Sequence, residues 1–244
     1  MSTDDSSSGD LVVSYFESCT LYARNLDRLW FYGISAGFRS FGALLSGRIL
    51  QFTLATTDYF LRLKRGEHEP DANCERIMDL SHQQLGVDAG QFKQGMKDAM
   101  WLLALGAGIA VLGALVGSAV GALFGSMLRQ PVLFAVGGCL VPLLLGTFIV
   151  CQTLAKMMLQ AGLLIKFGPE EVARRRGEMD AIVRRHKHAF ALYAMAAMAG
   201  SQVGLVLCCV GVFLTIPFST PAIYVGMINT LGITSADMDK FLSA

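Results

Sequence analysis

The sequence predicts an all-α, multi-pass transmembrane helix bundle of three to four spans, preceded by amphipathic helices lying in the membrane interface. Three observations carry this expectation. Hydrophobic residues make up 53% of the chain and charged ones 16%, against roughly 45 to 50% and 25% in soluble domains. The apolar runs 99–128 and 132–165 exceed the roughly 20 residues that cross a bilayer core of about 30 Å. Within the first run, Gly113, Gly117, Gly121 and Gly125 recur at every fourth position. In water each interior glycine would cost a helix roughly 0.8 to 1 kcal/mol relative to alanine. In lipid the missing side chains let another backbone come close.

Residues 1–10, MSTDDSSSGD, are acidic and polar and read as a disordered tail. They lack the basic start of a secretory or mitochondrial leader, so an internal span is expected to direct insertion. From 11 to 63 the pattern is amphipathic. Arg28, Ser35, Arg39, Ser46, Thr53 and Thr57 fall at steps of 7, 4, 7, 7 and 4 and draw one polar stripe on a helix. The other faces carry Trp30, Phe31, Phe38, Phe41, Leu44 and Ile49. A span here would take Arg39 and Arg48 through lipid at roughly 2.5 to 3.5 kcal/mol each, a cost that helices lying in the interface avoid. The alternative is a true span with its arginines facing other helices.

Residues 64–98 form a polar connector holding Pro70 and several glycines, with a short helix expected over 72–85. The two long apolar runs then make a hairpin turning at Arg129, Gln130 and Pro131, with Pro131 where a helix start tolerates it. Gly137, Gly138 and Pro142 predict a kink early in the second run. The segment 166–188 holds seven Lys and Arg against four acids, whereas the hairpin turn holds only Arg129. The positive-inside rule therefore places 166–188 on the cytoplasmic side, and Lys93 and Lys97 agree. Gly168, Pro169, Glu170 and Glu171 read as a helix start.

The last apolar stretch, 189–228, is divided by Pro217 and Pro221. We read a third span over 189–216, then Thr220 as a cap and a short helix over 221–231 that is re-entrant or interfacial. A helix that kinks and continues would be the fourth-span alternative. Together 99–231 form the transmembrane bundle, and the tail 232–244 begins with a plausible cap and one or two helical turns. GCLVPLLLGTFIV and TIPFSTPAIYVGMINTLG share a proline followed by a glycine four or five residues on. This is either an echo of an inverted repeat or shared membrane composition. Over roughly the last 110 residues these stretches resemble bacterial multi-pass integral membrane families of uncharacterised function, and the resemblance brings no functional residues with it.

Two functional features stand out. The glycine series is either an oligomer-forming or channel-forming zipper, or a packing face against the chain's own later spans. The basic residues Arg174, Arg175, Arg176, Arg184, Arg185 and Lys187 set topology and suit anionic lipid headgroups. His186 and His188 add positive charge at a membrane edge; two apart on a helix, they share no face and make a poor metal pair. Six cysteines show no CxxC pair and read as small buried hydrophobes. No cofactor or metal site is expected, and no GxxxxGK[ST] or GxGxxG accompanies the basic cluster. A net charge of +1 without basic-aromatic interleaving argues against nucleic acid. Residues 99–165 contain no Asp or Glu, which disfavours ion-coupled transport and catalysis within the membrane.

The expectation is a non-enzymatic structural, scaffold or assembly protein of a bacterial inner membrane or an organelle membrane. Its partners would be the bilayer and either a second copy or another membrane protein. A small oligomeric channel or passive permease is the first alternative and a membrane-remodelling protein the second. A pore requires a polar stripe along a span; the first span offers Ser118 and Ser126 and the third Ser201 and Gln202.

Overall fold

The computed structural model describes residues 7–45, 49–67, 89–201 and 216–243, and among them every regular element is a helix. In chain order these are α1 (Ser7–Arg24), α2 (Leu26–Leu45), α3 (Ile49–Lys64), α4 (Ala89–Met127), α5 (Pro131–Phe167), α6 (Pro169–Arg174) and α7 (Arg176–Ser201). A 3-10 turn (Ile216–Phe218), α8 (Ser219–Leu231) and α9 (Ser235–Ser243) follow. The chain divides into two compact units: Gln94–Leu154, and Met1–Lys93 together with Ala155–Ala244.

The smaller unit is a helical hairpin. Among the described residues, two helical stretches are long and apolar enough to cross a membrane, Trp101–Met127 and Pro131–Phe167. At 1.5 Å per residue, 27 residues rise about 40 Å, enough to cross a hydrocarbon core with tilt. α4 ends in a tight reversal in which Gln130 N–H donates to Gly125 O at 2.8 Å and Arg129 N–H to Ser126 O at 3.3 Å. Arg129 adopts the left-handed conformation, φ 57°, that a helix end of this type usually gives to glycine. Pro131 then opens α5, because the first residue of a helix needs no N–H partner. α5 is one continuous helix through Pro142, so the helix-break part of the sequence reading at Pro142 does not hold. The third span expected over 189–216 falls partly on 202–215, outside the described residues, as does the helix expected over 72–85.

The larger unit is built around α8, whose Ala222, Tyr224, Val225, Met227 and Ile228 are buried. The sequence predicts this short helix as re-entrant or interfacial; it is instead a core element. It begins at Ser219, two residues before the expected start at Pro221, and Thr220 lies inside the helix rather than capping it. Pro221 therefore lies in the first turn, where a missing N–H costs nothing. Pro217 takes its place in the preceding 3-10 turn and packs on Gly33, where a Cβ would stand 2.5 Å from Pro217 Cβ. At the other end of α8, Gly232 at φ 59° closes the helix, with Ile233 N–H donating to Ile228 O at 2.9 Å. α9 starts from a reciprocal cap in which Thr234 N–H donates to Asp237 Oδ2 at 2.8 Å and Asp237 N–H to Thr234 Oγ1 at 3.3 Å.

Two N-terminal expectations change. Helix α1 starts at Ser7, inside the segment read as a disordered tail. Thr53 and Thr57, expected to share a polar stripe with Arg28, lie on α3, whose residues from Thr53 to Leu61 are buried inside the larger unit. Local hydrogen bonding makes this tolerable: Thr57 Oγ1 donates to Thr53 O at 2.7 Å, so the hydroxyl carries its partner with it into the core. Aromatic packing fills the rest. Tyr59 stacks on Tyr32 with centroids 3.9 Å apart, and Phe60 stacks on Tyr224 at 5.7 Å. Gly226 leaves room for the ring of Tyr193, whose hydroxyl donates to Ala222 O at 2.7 Å.

A polar group ties α1, α3 and α8 together. Asn229 Nδ2 donates to Glu17 Oε2 at 2.6 Å and to Ser14 Oγ at 3.0 Å, while Lys64 Nζ donates to Asn229 Oδ1 at 3.0 Å. Lys64 also pairs with Glu17 at 2.8 Å. Burial pushes the Glu17 carboxyl up, but the hydrogen bonds from Lys64 and Asn229 outweigh it and hold the group below its ordinary value. A carboxylate depressed in the folded state stabilises fully above its unfolded pKa of about 4.3 and loses that contribution as pH falls through the folded value. Glu17→Gln is expected to flatten the dependence of unfolding on pH in that acidic window, measured by circular dichroism in micelles. An unchanged slope would contradict the role given to this group.

Candidate functional site

The four glycines read from the sequence lie along the contact between α4 and α5. A Cβ at Gly113 would stand 2.6 Å from Pro142 Cβ, and one at Gly125 would stand 2.7 Å from both Gln130 O and Pro131 Cα. Between them, a Cβ on Gly117 would collide with the Gly138 carbonyl oxygen, and one on Gly121 with that of Phe134. The collision at Gly138 is reciprocal, because a Cβ there would meet Gly117 O. The two backbones thus touch directly, a separation that glycine or a similarly small residue permits and larger ones do not.

The partner stripe was missed in the sequence. Gly138, Pro142 and Gly146 repeat at steps of four on α5, matching the spacing on α4, and each faces α4. Gly146 continues the contact to Gly106 O and Ala110 N, where its Cβ would stand 2.5 Å away from each. Pro142 and Gly138 drew attention as kink formers, which hid their use as contact residues. Gly137, beside Gly138, has nothing within 4 Å of the place its Cβ would occupy. The pair therefore divides into one contact glycine and one outward glycine.

Away from this seam the hairpin is apolar and exposed. Only 6% of either apolar window is buried, and Trp101, Leu123 and Met127 are exposed at 70, 71 and 83%. Each such side chain left in water forgoes roughly 1.5 to 3 kcal/mol of burial. The serines give no continuous polar path: Ser118 Oγ donates to Leu115 O at 2.9 Å and Ser126 Oγ to Leu123 O at 2.6 Å, both within α4.

The basic segment is partly self-compensated. Glu171 accepts from Arg174 at 2.5 Å and pairs with Arg175, which also lies 3.8 Å from Glu178. Arg174, Arg175 and Arg176 are exposed around the break between α6 and α7. Arg184 and Arg185 are exposed on α7 and Lys187 is half-buried, while Met179, Val183, Phe190 and Ala194 form the buried face. Burial and the neighbouring Arg185 lower the His186 pKa below its usual value. Both effects favour the neutral form of His186 and work against the positive charge expected of it. Among the described residues no three His, Cys, Asp or Glu side chains converge as metal ligands, and Cys19, Cys139 and Cys151 form no disulfide.

Compared with protein-family models, curated proteins and solved structures, the chain matches none.

The seam yields a sharp contrast between neighbouring glycines. Gly117→Ala and Gly138→Ala place a methyl on a backbone carbonyl and are expected to cost the hairpin about 1 to 3 kcal/mol, the usual cost of overpacking. Gly137→Ala and Gly108→Ala meet open space and are expected to be neutral or stabilising by up to about 1 kcal/mol. Unfolding by SDS titration from mixed micelles, followed by far-UV circular dichroism, measures both. Equal effects at contact and outward glycines would refute the packing assignment.

Proposed function

We propose that this protein is an integral membrane scaffold or assembly subunit, held in the bilayer by the α4–α5 hairpin and carrying a helical body built around α8. The observation that carries the reading is the combination in one hairpin of a backbone-close glycine seam and an otherwise apolar, exposed surface. A bilayer supplies the burial that surface lacks, and the seam fixes the two helices as one unit without any side-chain chemistry. The zipper then acts within the protomer, leaving the outer hairpin faces for lipid, a second copy or another membrane protein.

In this reading 166–188 lies on the cytoplasmic side, where Arg184 and Arg185 meet anionic headgroups beside the self-paired Arg174 and Arg175. Function by catalysis or ion coupling has no support in the hairpin, which lacks acidic groups from 99 to 154. A pore would need polar groups aimed away from the backbone, and Ser118 and Ser126 satisfy their own helix instead. Remodelling by a wedge spanning 11–63 loses its C-terminal part, since α3 is core.

The test is the state of the full-length protein after reconstitution in nanodiscs, comparing wild type with Gly117→Leu/Gly121→Leu by native mass spectrometry. The expected outcome is carbonate-resistant membrane association and an unchanged protomer number in the folded fraction, with that fraction reduced by the substitutions. A discrete wild-type oligomer that dissociates on substitution would make the glycine face intermolecular and reinstate the channel reading. Extraction of the wild type by carbonate would overturn membrane integration itself.

A further inference from the structure

We infer that α1 and the first turns of α2 form a second, shallow membrane-binding surface that seats against anionic lipid headgroups, separate from the hairpin anchor. Among the described residues outside the hairpin, the exposed large apolar side chains gather mainly here: Val12, Val13 and Phe16 on α1, then Leu26, Trp30 and Phe31 on α2. Phe16 is 67% and Phe31 70% exposed. Residues 12, 13 and 16 share one face of α1, and 26 and 30 stand one turn apart on α2.

Charge and aromatic type commit this face to lipid. Arg24 and Arg28 are exposed beside Leu26, Trp30 and Phe31, with Asp27 the exposed acid among them. Glu17, the acid in the middle of α1, is drawn into the Lys64 and Asn229 group instead. Among the described side chains, the outward side of this helix pair is therefore apolar and aromatic, with Arg24 and Arg28 at its rim outnumbering Asp27. That pattern lies in a membrane interface, with rings at the acyl boundary and arginines among phosphates. The surface differs from the interfacial segment read in the sequence: α3 is buried and contributes nothing to it. The hairpin, once inserted, keeps the rest of the chain near a bilayer, so a weak second contact has a high effective concentration of lipid.

The chain holds two tryptophans, Trp30 and Trp101, one on this surface and one on the hairpin. Trp101→Phe leaves Trp30 as the sole reporter, and Trp30→Phe leaves Trp101. Each full-length variant is reconstituted in phosphatidylcholine vesicles, with or without phosphatidylglycerol, containing lipids brominated at shallow or deep acyl carbons. The expected result is loss of Trp30 emission, greater with shallow than with deep bromines and greater when phosphatidylglycerol is present. Adding Phe31→Glu to the Trp101→Phe variant is expected to relieve that quenching while far-UV circular dichroism stays unchanged.

Trp30 emission insensitive to bromolipid, with Trp101 quenched, would overturn this surface and leave the hairpin reading standing. Quenching of neither would overturn both. Equal Trp30 quenching with and without phosphatidylglycerol would overturn the headgroup assignment.

Discussion

The contact between Gly117 and Gly138 is the constraint on which the hairpin depends. A Cβ on either residue would collide with the other's carbonyl oxygen, so the distance between α4 and α5 is set by main chain rather than by side chains. Helices in lipid gain little from burying apolar side chains against each other, because the acyl chains are equally apolar. Close backbone approach and dispersion contacts take over that role. The same step of four on both helices then follows as a requirement, since an antiparallel pair keeps one seam only if both partners present small or accommodating residues in register. Pro142 fits because its ring fills the space left by Gly113.

The larger unit solves the opposite problem with ordinary core chemistry. Its central helix α8 is short and apolar and is enclosed by α1, α2, α3 and α7, with aromatic rings filling the space that small residues open. Gly226 admits Tyr193, and Gly33 admits Pro217. Polar atoms in this interior are satisfied locally or by one another. Ser18 Oγ donates to Ser14 O at 2.6 Å, Thr57 bonds to its own helix, and Asn229 joins three elements. The C-terminal carbonyl of α8 at Leu231 accepts from Lys166 Nζ, a cation placed where the helix dipole favours one.

Much of this was legible in the residues. The two apolar helices, the reversal at Arg129 to Pro131, and the helix start after Gly168 all follow from run length and from Pro and Gly placement. The glycine repeat was visible on α4, whereas its partner on α5 was concealed because Gly138 and Pro142 also signal a kink. Burial of α3 was not legible: Thr53 and Thr57 read as part of a polar stripe, and the hydrogen bond from Thr57 Oγ1 to Thr53 O is what lets the Thr57 hydroxyl enter a core. The role of α8 was also hidden, since a mostly apolar helix of 13 residues with Pro221 in its first turn suits an interfacial segment as well as a buried helix. Asn229 gave no sequence signal, because its partners Ser14, Glu17 and Lys64 lie far away along the chain.

Amide hydrogen exchange of the reconstituted protein tests the central claim most directly, that residues 101–154 form one close-packed hairpin within a bilayer. The account requires slow exchange across both apolar helices in lipid nanodiscs, continuous through Pro142, with fast exchange confined to Leu128–Gln130 at the reversal. Rapid exchange throughout 101–127 or 131–154, at rates typical of solvent-exposed helix, would contradict it.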